Sequence, residues 1–293
     1  MSGSGVSNGS DAASAAHQRA LYAAENGEGR ADWQAALAHL EQAASLGHTL
    51  AQAELAALAG EWELSRAIAR GEAHTLDWAS LHRAIDVAKW LTVPAVRRLS
   101  ARPRIATVEG IASPELCDWL IARARPHLTR AEVYDHDTGR QRVEEVRTNT
   151  ACYFLWEASD LLLMMLRARM AQAAELPVVG MESTAVLHYT VGEEFLPHFD
   201  FLDVNQAGHA KDVAGRGQRV LTFLIALNDD YEGGQTDFPE IGKRWKGRKG
   251  NGLFFWNVEP DGAPDRLTRH AGLPPARGEK WLLSQWIRGR AAR

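Results

Sequence analysis

Residues 187–201 read LHYTVGEEFLPHFDF, and the segment His198-Phe199-Asp200 inside them decides how the rest of the chain is read. On an extended strand successive side chains alternate faces, so His198 and Asp200 point one way while Phe199 and Phe201 point the other. A neutral imidazole and a carboxylate placed like this can grip one cation. A third ligand must come from elsewhere, and His270, in Arg269-His270-Ala271, lies on a later strand. Two His and one carboxylate on one face of an ion leave three positions open, which suits non-haem Fe(II). His-x-Asp alone is a weak signal. His17, His39, His48, His74 and His82 show the contrast, since they fall in a helical region without a carboxylate at ligand spacing on a strand.

Lys280 strengthens the reading. It opens the strand Lys280-Trp281-Leu282-Leu283-Ser284-Gln285-Trp286, where period two places Lys280, Leu282, Ser284 and Trp286 on one face. A lysine on an apolar strand is costly to bury unless it meets an anion. Around these segments the chain from Pro177 onward is a series of short strands broken by Gly, Pro, Asn and Asp. They are expected near 185–190, 196–201, 219–227, 236–238, 252–258, 267–271 and 280–287, a spacing that argues for a sandwich or jelly roll. Two helices lead into it. Ser113-Pro114-Glu115 is a helix start, with a capping hydroxyl followed by Pro in the first turn, and a second helix is expected over 158–175. Both should pack on one outer face of the sheets. The fold class is α+β, with an α-helical region in front.

That front region divides by texture. Residues 1–12 are rich in Gly and Ser and read as a disordered lead. Residues 13–97 are rich in Ala and Leu, with helical periodicity in 32–47 (Ala36, Leu37, Leu40, Ala43, Ala44), again in 50–58, and in 61–70 and 81–91. Residues 98–293 form the third region. The stretch ALAHLEQAASLGHTLAQAELAALAG (36–60) resembles one Sel1-like, tetratricopeptide-type helix pair, and a solenoid generally needs about three such units. A helical extension packed on the next domain and a docking module for a partner or substrate remain alternatives, as does a homodimer joined through these helices.

The 293 residues are 45% hydrophobic and 24% charged, ordinary for a globular protein with a real core. Net charge is −4 with a pI near 6.3, so nothing pulls the whole chain toward nucleic acid or an anionic membrane. Cys117 and Cys152 form no CxxC pair, which argues against a thiolate zinc site or a disulfide framework. No apolar run approaches the roughly 20 residues of a membrane span. The N-terminus has neither the basic start nor the apolar middle of a signal peptide, and the chain reads as cytoplasmic.

Several stretches, in order, resemble the prolyl 4-hydroxylases of the Fe(II)/2-oxoglutarate dioxygenase superfamily: PRIATVEGIASPELCDWLIARARPHL (103–128), VRTNT (146–150), LHYTVGEEFLPHFDF (187–201), RVLTFLIALNDDYEGGQTDFPEIG (219–242), GNGLFFWN (250–257) and TRHAGLPPARGEKWLLSQWI (268–287). The resemblance implies a double-stranded β-helix, a jelly-roll variant, with iron in its mouth. It implies His198, Asp200 and His270 as iron ligands and Lys280 as partner of the distal carboxylate of 2-oxoglutarate. Thr222 would hydrogen-bond near that carboxylate, Tyr189 would reach the same cosubstrate, and Trp286 would line the site where substrate meets metal. Fe(II), 2-oxoglutarate and O2 would be needed, with ascorbate as a reductant. The implied reaction couples oxidative decarboxylation of 2-oxoglutarate to hydroxylation of an sp3 carbon, first of all in a peptidyl proline.

A free amino acid or another small metabolite is the alternative substrate, because fold does not fix function. Related lysyl hydroxylases and nucleic-acid demethylases place Arg where Lys280 stands, which counts against both. A non-catalytic sensing protein would have lost a ligand or the lysine, and none is lost here. Gly233-Gly234 reads as a turn between strands, and the basic run 243–249 as a solvated loop. The polar segments 135–146 and 203–218 read as loops that order over the catalytic mouth when substrate binds.

Overall fold

The computed structural model describes residues 5–25, 31–72, 76–131, 133–134, 141–142 and 146–289. The chain divides into two compact units, Met1–Thr92 with Trp156–Arg169, and Val93–Leu155 with Met170–Arg293. No helix among the described residues is long and apolar enough to cross a membrane.

The first unit is helical: α1 (Gly5–Glu25), α2 (Trp33–Ser45), α3 (Thr49–Leu58), α4 (Trp62–Ala69), α5 (Trp78–Ala84) and α6 (Val87–Leu91). Ala13, Ala16, Ala20, Leu21 and Ala24 of α1 are buried at helical steps, as are Ala36, Leu37, Leu40, Ala43 and Ala44 of α2. Side chains this small let paired helices approach closely. The helical pattern carries α1 back through the Gly/Ser-rich lead, which is therefore helical from Gly5 instead of irregular as far as residue 12. α2, α3 and α4 end on one device. Gly47, Gly60 and Gly71 take φ of 87°, 91° and 82°. Each glycine N–H donates three residues back, and the following N–H five back, closing the helix end with left-handed backbone that glycine adopts without strain. The helix expected over 81–91 is split, because Ile85 is extended and the Asp86 carboxylate accepts from Lys89 N at 3.0 Å, starting α6 afresh.

Inside this unit His17 and Glu54 meet at 2.6 Å, and the other Glu54 oxygen accepts from Leu161 N at 2.8 Å. Glu54 is fully buried, and burial pushes its carboxyl above the ordinary range although His17 pulls the other way. Leu161 begins α8 (Leu161–Ala174), whose Leu161–Leu166 are buried all round. Leu161–Arg169 therefore group with the helical unit, and α7 (Pro114–Ala124) is the leading helix that packs on the sheet. Its Ser113 cap accepts from Leu116 N at 3.2 Å, and Cys117 lies against the Ala226 carbonyl.

The second unit carries sixteen described strands: β1 (Val96–Ser100), β2 (Ile105–Val108), β3 (Thr129–Arg130), β4 (Val133–Tyr134), β5 (Gln141–Arg142), β6 (Thr150–Phe154), β7 (Thr184–Tyr189) and β8 (Phe195–His198) come first. After α9 (Ala207–Arg216) follow β9 (Gln218–Ala226), β10 (Glu232–Gly233), β11 (Thr236–Phe238), β12 (Lys243–Trp245), β13 (Gly252–Trp256), β14 (His270–Gly272), β15 (Pro275–Arg277) and β16 (Lys280–Gly289). Eight join in the order β1-β2-β13-β9-β16-β7-β6-β3 and four in the order β12-β11-β14-β8, with antiparallel pairing throughout. The core collects Leu187, Tyr189, Leu224, Phe255 and Leu282 from the large sheet and Phe238 from the small one, where Phe238 meets Phe255 edge-on at 5.2 Å. On the other face of the large sheet Gly252 leaves room for close packing, since a Cβ there would lie 2.8 Å from the Phe223 ring.

Several expectations change. β8 stops at His198, and Asp200 sits in the bend that follows. Arg266–Thr268 is a 3-10 turn capped by Asp265, so the strand carrying His270 begins at that residue. Segment 203–218 is not a loop: residues 207–216 form α9, which carries Gly208 and Gly215 within it and ends at Gly217, at φ 84°. Of the expected gate 135–146, residues 135–140 and 143–145 lie outside the described ones. The basic run 243–249 is a strand for its first three residues.

Candidate metal centre and cosubstrate chamber

Chain separation hides the site and strand register assembles it. β14 runs antiparallel to β8 with His270 directly opposite His198, bringing the two rings to 4.3 Å between centroids. Asp200, just past the end of β8, completes the group. Its Oδ1 lies 3.7 Å from His198 Nε2 and its Oδ2 3.4 Å from His270 Nε2. One ligand atom from each of the three residues lies within 4.8 Å of the others, a set able to hold a metal ion.

The imidazoles are aimed. His198 Nδ1 sits 2.8 Å from the Leu196 carbonyl and His270 Nδ1 3.0 Å from that of Thr268, so each Nδ1–H donates to backbone and leaves the Nε2 lone pair facing the site. Burial, with His270 alongside, lowers the His198 pKa to about 3, and that ring is neutral and ready to coordinate. Phe195 stacks on the His198 ring at 3.5 Å, and the Arg147 guanidinium lies over Phe195 at 4.7 Å. Burial works against ionisation of Asp200, yet the two His and the Thr222 hydroxyl more than offset it and hold the carboxyl below its ordinary range. Thr222 Oγ1 donates to Asp200 Oδ2 at 2.7 Å and accepts from Asn257 Nδ2 at 2.9 Å. Asn257 is fully buried.

A narrow chamber of about 40 Å³ extends from the triad between β7, β9 and β16, lined by Tyr189, Leu224, Lys280, Leu282, Ser284 and Trp286. Register places Lys280 opposite Tyr189, with the ammonium 4.8 Å from the centre of the phenol ring. Lys280 is 2% exposed, and its Nζ has no hydrogen-bond partner among the described residues. Loss of water pushes its pKa down to about 7. An uncompensated buried ammonium is the group that a carboxylate would satisfy. The chamber encloses the end of an elongated anion and not all of it. Part of its lining, including His198, Asp200, Arg147, Phe195 and Trp286, is shared with a wide cleft of about 1810 Å³.

Known proteins agree with this geometry. Residues 184–288, which contain the triad, Lys280, Tyr189, Thr222 and Trp286, match the family described as the 2OG-Fe(II) oxygenase superfamily. Probable prolyl 4-hydroxylase 3 of Arabidopsis thaliana is 33% identical over 208 residues, 64% of this chain and 70% of the relative. The chain belongs to the prolyl 4-hydroxylase-like 2OG-Fe(II) oxygenases. Prolyl 4-hydroxylase 5 of Arabidopsis thaliana is similar at 31% identity over 219 residues, 71% of its length. Among solved structures, the viral collagen prolyl hydroxylase of Paramecium Bursaria Chlorella virus-1, in its 2OG complex, superposes with a TM-score of 0.50 at 25% identity, covering 63% of this chain and 96% of that one. As a member of this family the protein is a dioxygenase that uses Fe(II), 2-oxoglutarate and O2, and both the donor set and the orphan ammonium fit those groups.

For this oxygenase the structure brings His198, Asp200 and His270 together, and Tyr189 beside Lys280. Trp286 lines both the chamber and the cleft, with the Arg219 guanidinium 3.6 Å over its ring. Thr222 has Asp200 and Asn257 as its hydrogen-bond partners among the described residues, which sets its hydroxyl beside the metal-side carboxylate. Asn257, Arg147 and Phe195 had no role assigned from sequence. A buried Asn ending the apolar run Gly252–Asn257 was the available signal for Asn257, since such a side chain must find a polar partner. For the other two, only the pairing of Arg147 with Phe195 across a bridge reveals the contact.

Proposed function

We propose that this oxygenase hydroxylates an sp3 carbon of a proline within a peptide or protein, with His198, Asp200 and His270 holding Fe(II). Lys280 would receive the far carboxylate of 2-oxoglutarate, and Tyr189 would wall that subsite. When bound, iron and 2-oxoglutarate supply oxidation of a C–H bond by O2, with succinate and carbon dioxide as coproducts. The chain's own residues orient and exclude. The backbone carbonyls of Leu196 and Thr268 hold the imidazoles in one tautomer, and Thr222, backed by Asn257, holds the carboxylate. Phe195, stacked on the His198 ring, would shield that ligand, and Trp286 would wall the chamber beyond it.

The single observation that carries the peptide reading is the cleft. At about 1810 Å³ it exceeds the roughly 300–1,000 Å³ of small-molecule pockets. The free-amino-acid alternative needs no such space. The relatives' names point the same way. The chain, Fe(II) and 2-oxoglutarate, incubated with proline peptides and with free proline, should form succinate in step with a gain of one oxygen on the peptide. Stoichiometric hydroxylation of free proline with untouched peptides would reverse the assignment.

The same reading takes the two antiparallel sheets as a double-stranded β-helix, and α2–α3 as a Sel1/tetratricopeptide-type pair serving partner or copy contacts. The repeated glycine closure at Gly47, Gly60 and Gly71 supports the latter. Two buried, unpaired thiols, Cys117 and Cys152, suit a reducing cytoplasm.

A further inference from the structure

The cleft is charged in a sense opposite to the chain. The protein carries a net −4. Yet among the described residues the cleft wall holds six cationic side chains, Arg147, Lys211, Arg216, Arg219, Arg266 and Arg269, against three carboxylates besides Asp200. Those three are Glu182, Asp203 and Asp212. Glu182 is bound bidentately by Arg219, at 2.7 and 2.9 Å, and again by Arg288 at 2.6 Å. Asp212 is held by Arg216 at 2.6 Å and Arg288 at 2.8 Å. Asp203 accepts from Asn205 N and Nδ2 at 3.0 and 2.8 Å and faces Arg266. Lys211 and Arg266 are exposed, and among the described residues neither enters an ion pair. The same cleft exposes apolar surface at Leu155, Leu196 and Val146, residues that are 56%, 41% and 37% accessible.

A concave, low-dielectric wall with an excess of one sign concentrates ions of the other sign. Glu182 and Asp212 are committed to arginine pairs, and Asp203 is the one wall carboxylate set against Arg266, so among the described residues the cationic excess faces whatever enters. We infer that the preferred substrate is an acidic peptide segment, with Asp or Glu side chains flanking the target residue. These would lie toward Lys211 of α9 and Arg266 of the turn before β14, while apolar neighbours cover Leu155, Leu196 and Val146. Nucleic acid offers the same charge, but the exposed apolar strip favours a peptide. The inference rests on the peptide reading above, and it names the charge of the peptide.

The test separates the two ideas. Rhodamine-labelled peptides of one length and one central proline, flanked by Glu, Gln or Lys, are titrated into the full chain and followed by anisotropy. In parallel the same peptides are assayed for hydroxylation with Fe(II) and 2-oxoglutarate. At low ionic strength the Glu peptide should bind on the order of tenfold tighter than the Gln peptide, and the advantage should fade as salt approaches 1 M. Lys211→Glu with Arg266→Glu should erase the preference, whereas Lys89→Glu, on α6 and outside the cleft, should leave it. Equal binding of the Glu and Gln peptides, or a preference indifferent to the double variant, overturns the inference whatever the turnover. Tighter binding of single-stranded nucleic acid than of the Glu peptide overturns it as well. Selective, salt-sensitive binding of the Glu peptide without hydroxylation of any peptide would uphold the acidic partner and defeat the proposed reaction.

Discussion

Replacing Lys280 with Met should make the ligand-free protein more stable and, in the same molecule, remove its response to 2-oxoglutarate. The ammonium is 2% exposed and has no hydrogen-bond partner among the described residues, and burial holds its pKa at about 7 against an ordinary 10.5. At about 1.4 kcal/mol per pH unit, that displacement corresponds to about 5 kcal/mol against the folded state at acid pH. Local relaxation reduces the cost, and apolar replacements of buried charges gain roughly 1–4 kcal/mol. A gain of about 2 kcal/mol is the working figure, or several degrees in Tm for a chain of this size. The sign can be checked with pH. Between pH 7 and 10.5 the unfolded chain keeps a proton that the folded chain has lost, so wild-type stability rises across that window from this group. The variant lacks the rise.

Met matches the length of the lysine stem closely enough to keep Leu282 and Tyr189 packed. Binding should move in the opposite direction from stability. Losing one partner of a buried charge pair costs about 3–5 kcal/mol, so 2-oxoglutarate affinity should drop by roughly 100-fold or more. Thermal unfolding of the two proteins, with and without 2-oxoglutarate, and anaerobic calorimetric titration of the iron-loaded forms give both numbers. A variant that is less stable than wild type and still binds 2-oxoglutarate within twofold would refute the assignment of Lys280.

Thr222→Val should weaken Fe(II) binding by roughly 10–100-fold while Thr222→Ser retains most of it, read by metal titration, because the hydroxyl that steers Asp200 is lost in one and kept in the other. Acid should unfold the oxygenase unit from below pH 4.5 downward: Glu182, Asp212 and Glu279 have folded pKa values under their ordinary 4.5, 3.8 and 4.5, so their contribution is present above those values and disappears as pH falls through the lower ones, which circular dichroism would follow. Glu54→Leu should cost the helical unit about 3 kcal/mol in denaturant melts, since it removes the carboxylate that both His17 and the Leu161 N–H meet inside the protein.

Legibility from sequence followed the range of the interaction. Alternation along single strands sufficed for the face shared by Lys280, Leu282, Ser284 and Trp286, and that face lines one chamber. Ser113-Pro114 announced α7 because a cap is a contact over three residues. Thr222 kept its contact hidden for the opposite reason. Its partner, Asp200, lies 22 residues away, and only the placement of β9 beside the bend after β8 brings them together. The split at Asp86 escaped because apolar spacing ran on through a residue whose side chain prefers to begin a helix.

The misreading of 203–218 bears most directly on function. Gly208, Gly215 and Gly217 suggested an irregular lid, but only Gly217 needs the left-handed backbone that glycine permits. Gly208 lies in α9, where its weak propensity is outweighed. Leu202 N–H donates to the Gln218 side chain at 2.7 Å and the Leu202 carbonyl accepts from it at 2.8 Å, which fastens the two ends of the segment together. Arg288 ties Asp212 of the helix to β16 at 2.8 Å. A segment anchored at both ends and in the middle holds its charges at fixed positions before any ligand arrives. Lys211 is therefore part of a standing wall and not a tethered cation, and a fixed charge loses less entropy on meeting a carboxylate than a mobile one. If the segment were loosened by Gln218→Ala, which leaves the charge of the cleft unchanged, selectivity among peptides should fall more than the rate on the Gln-flanked peptide. Equal loss of both would mean that the helix supports the barrel and has no part in choosing the substrate.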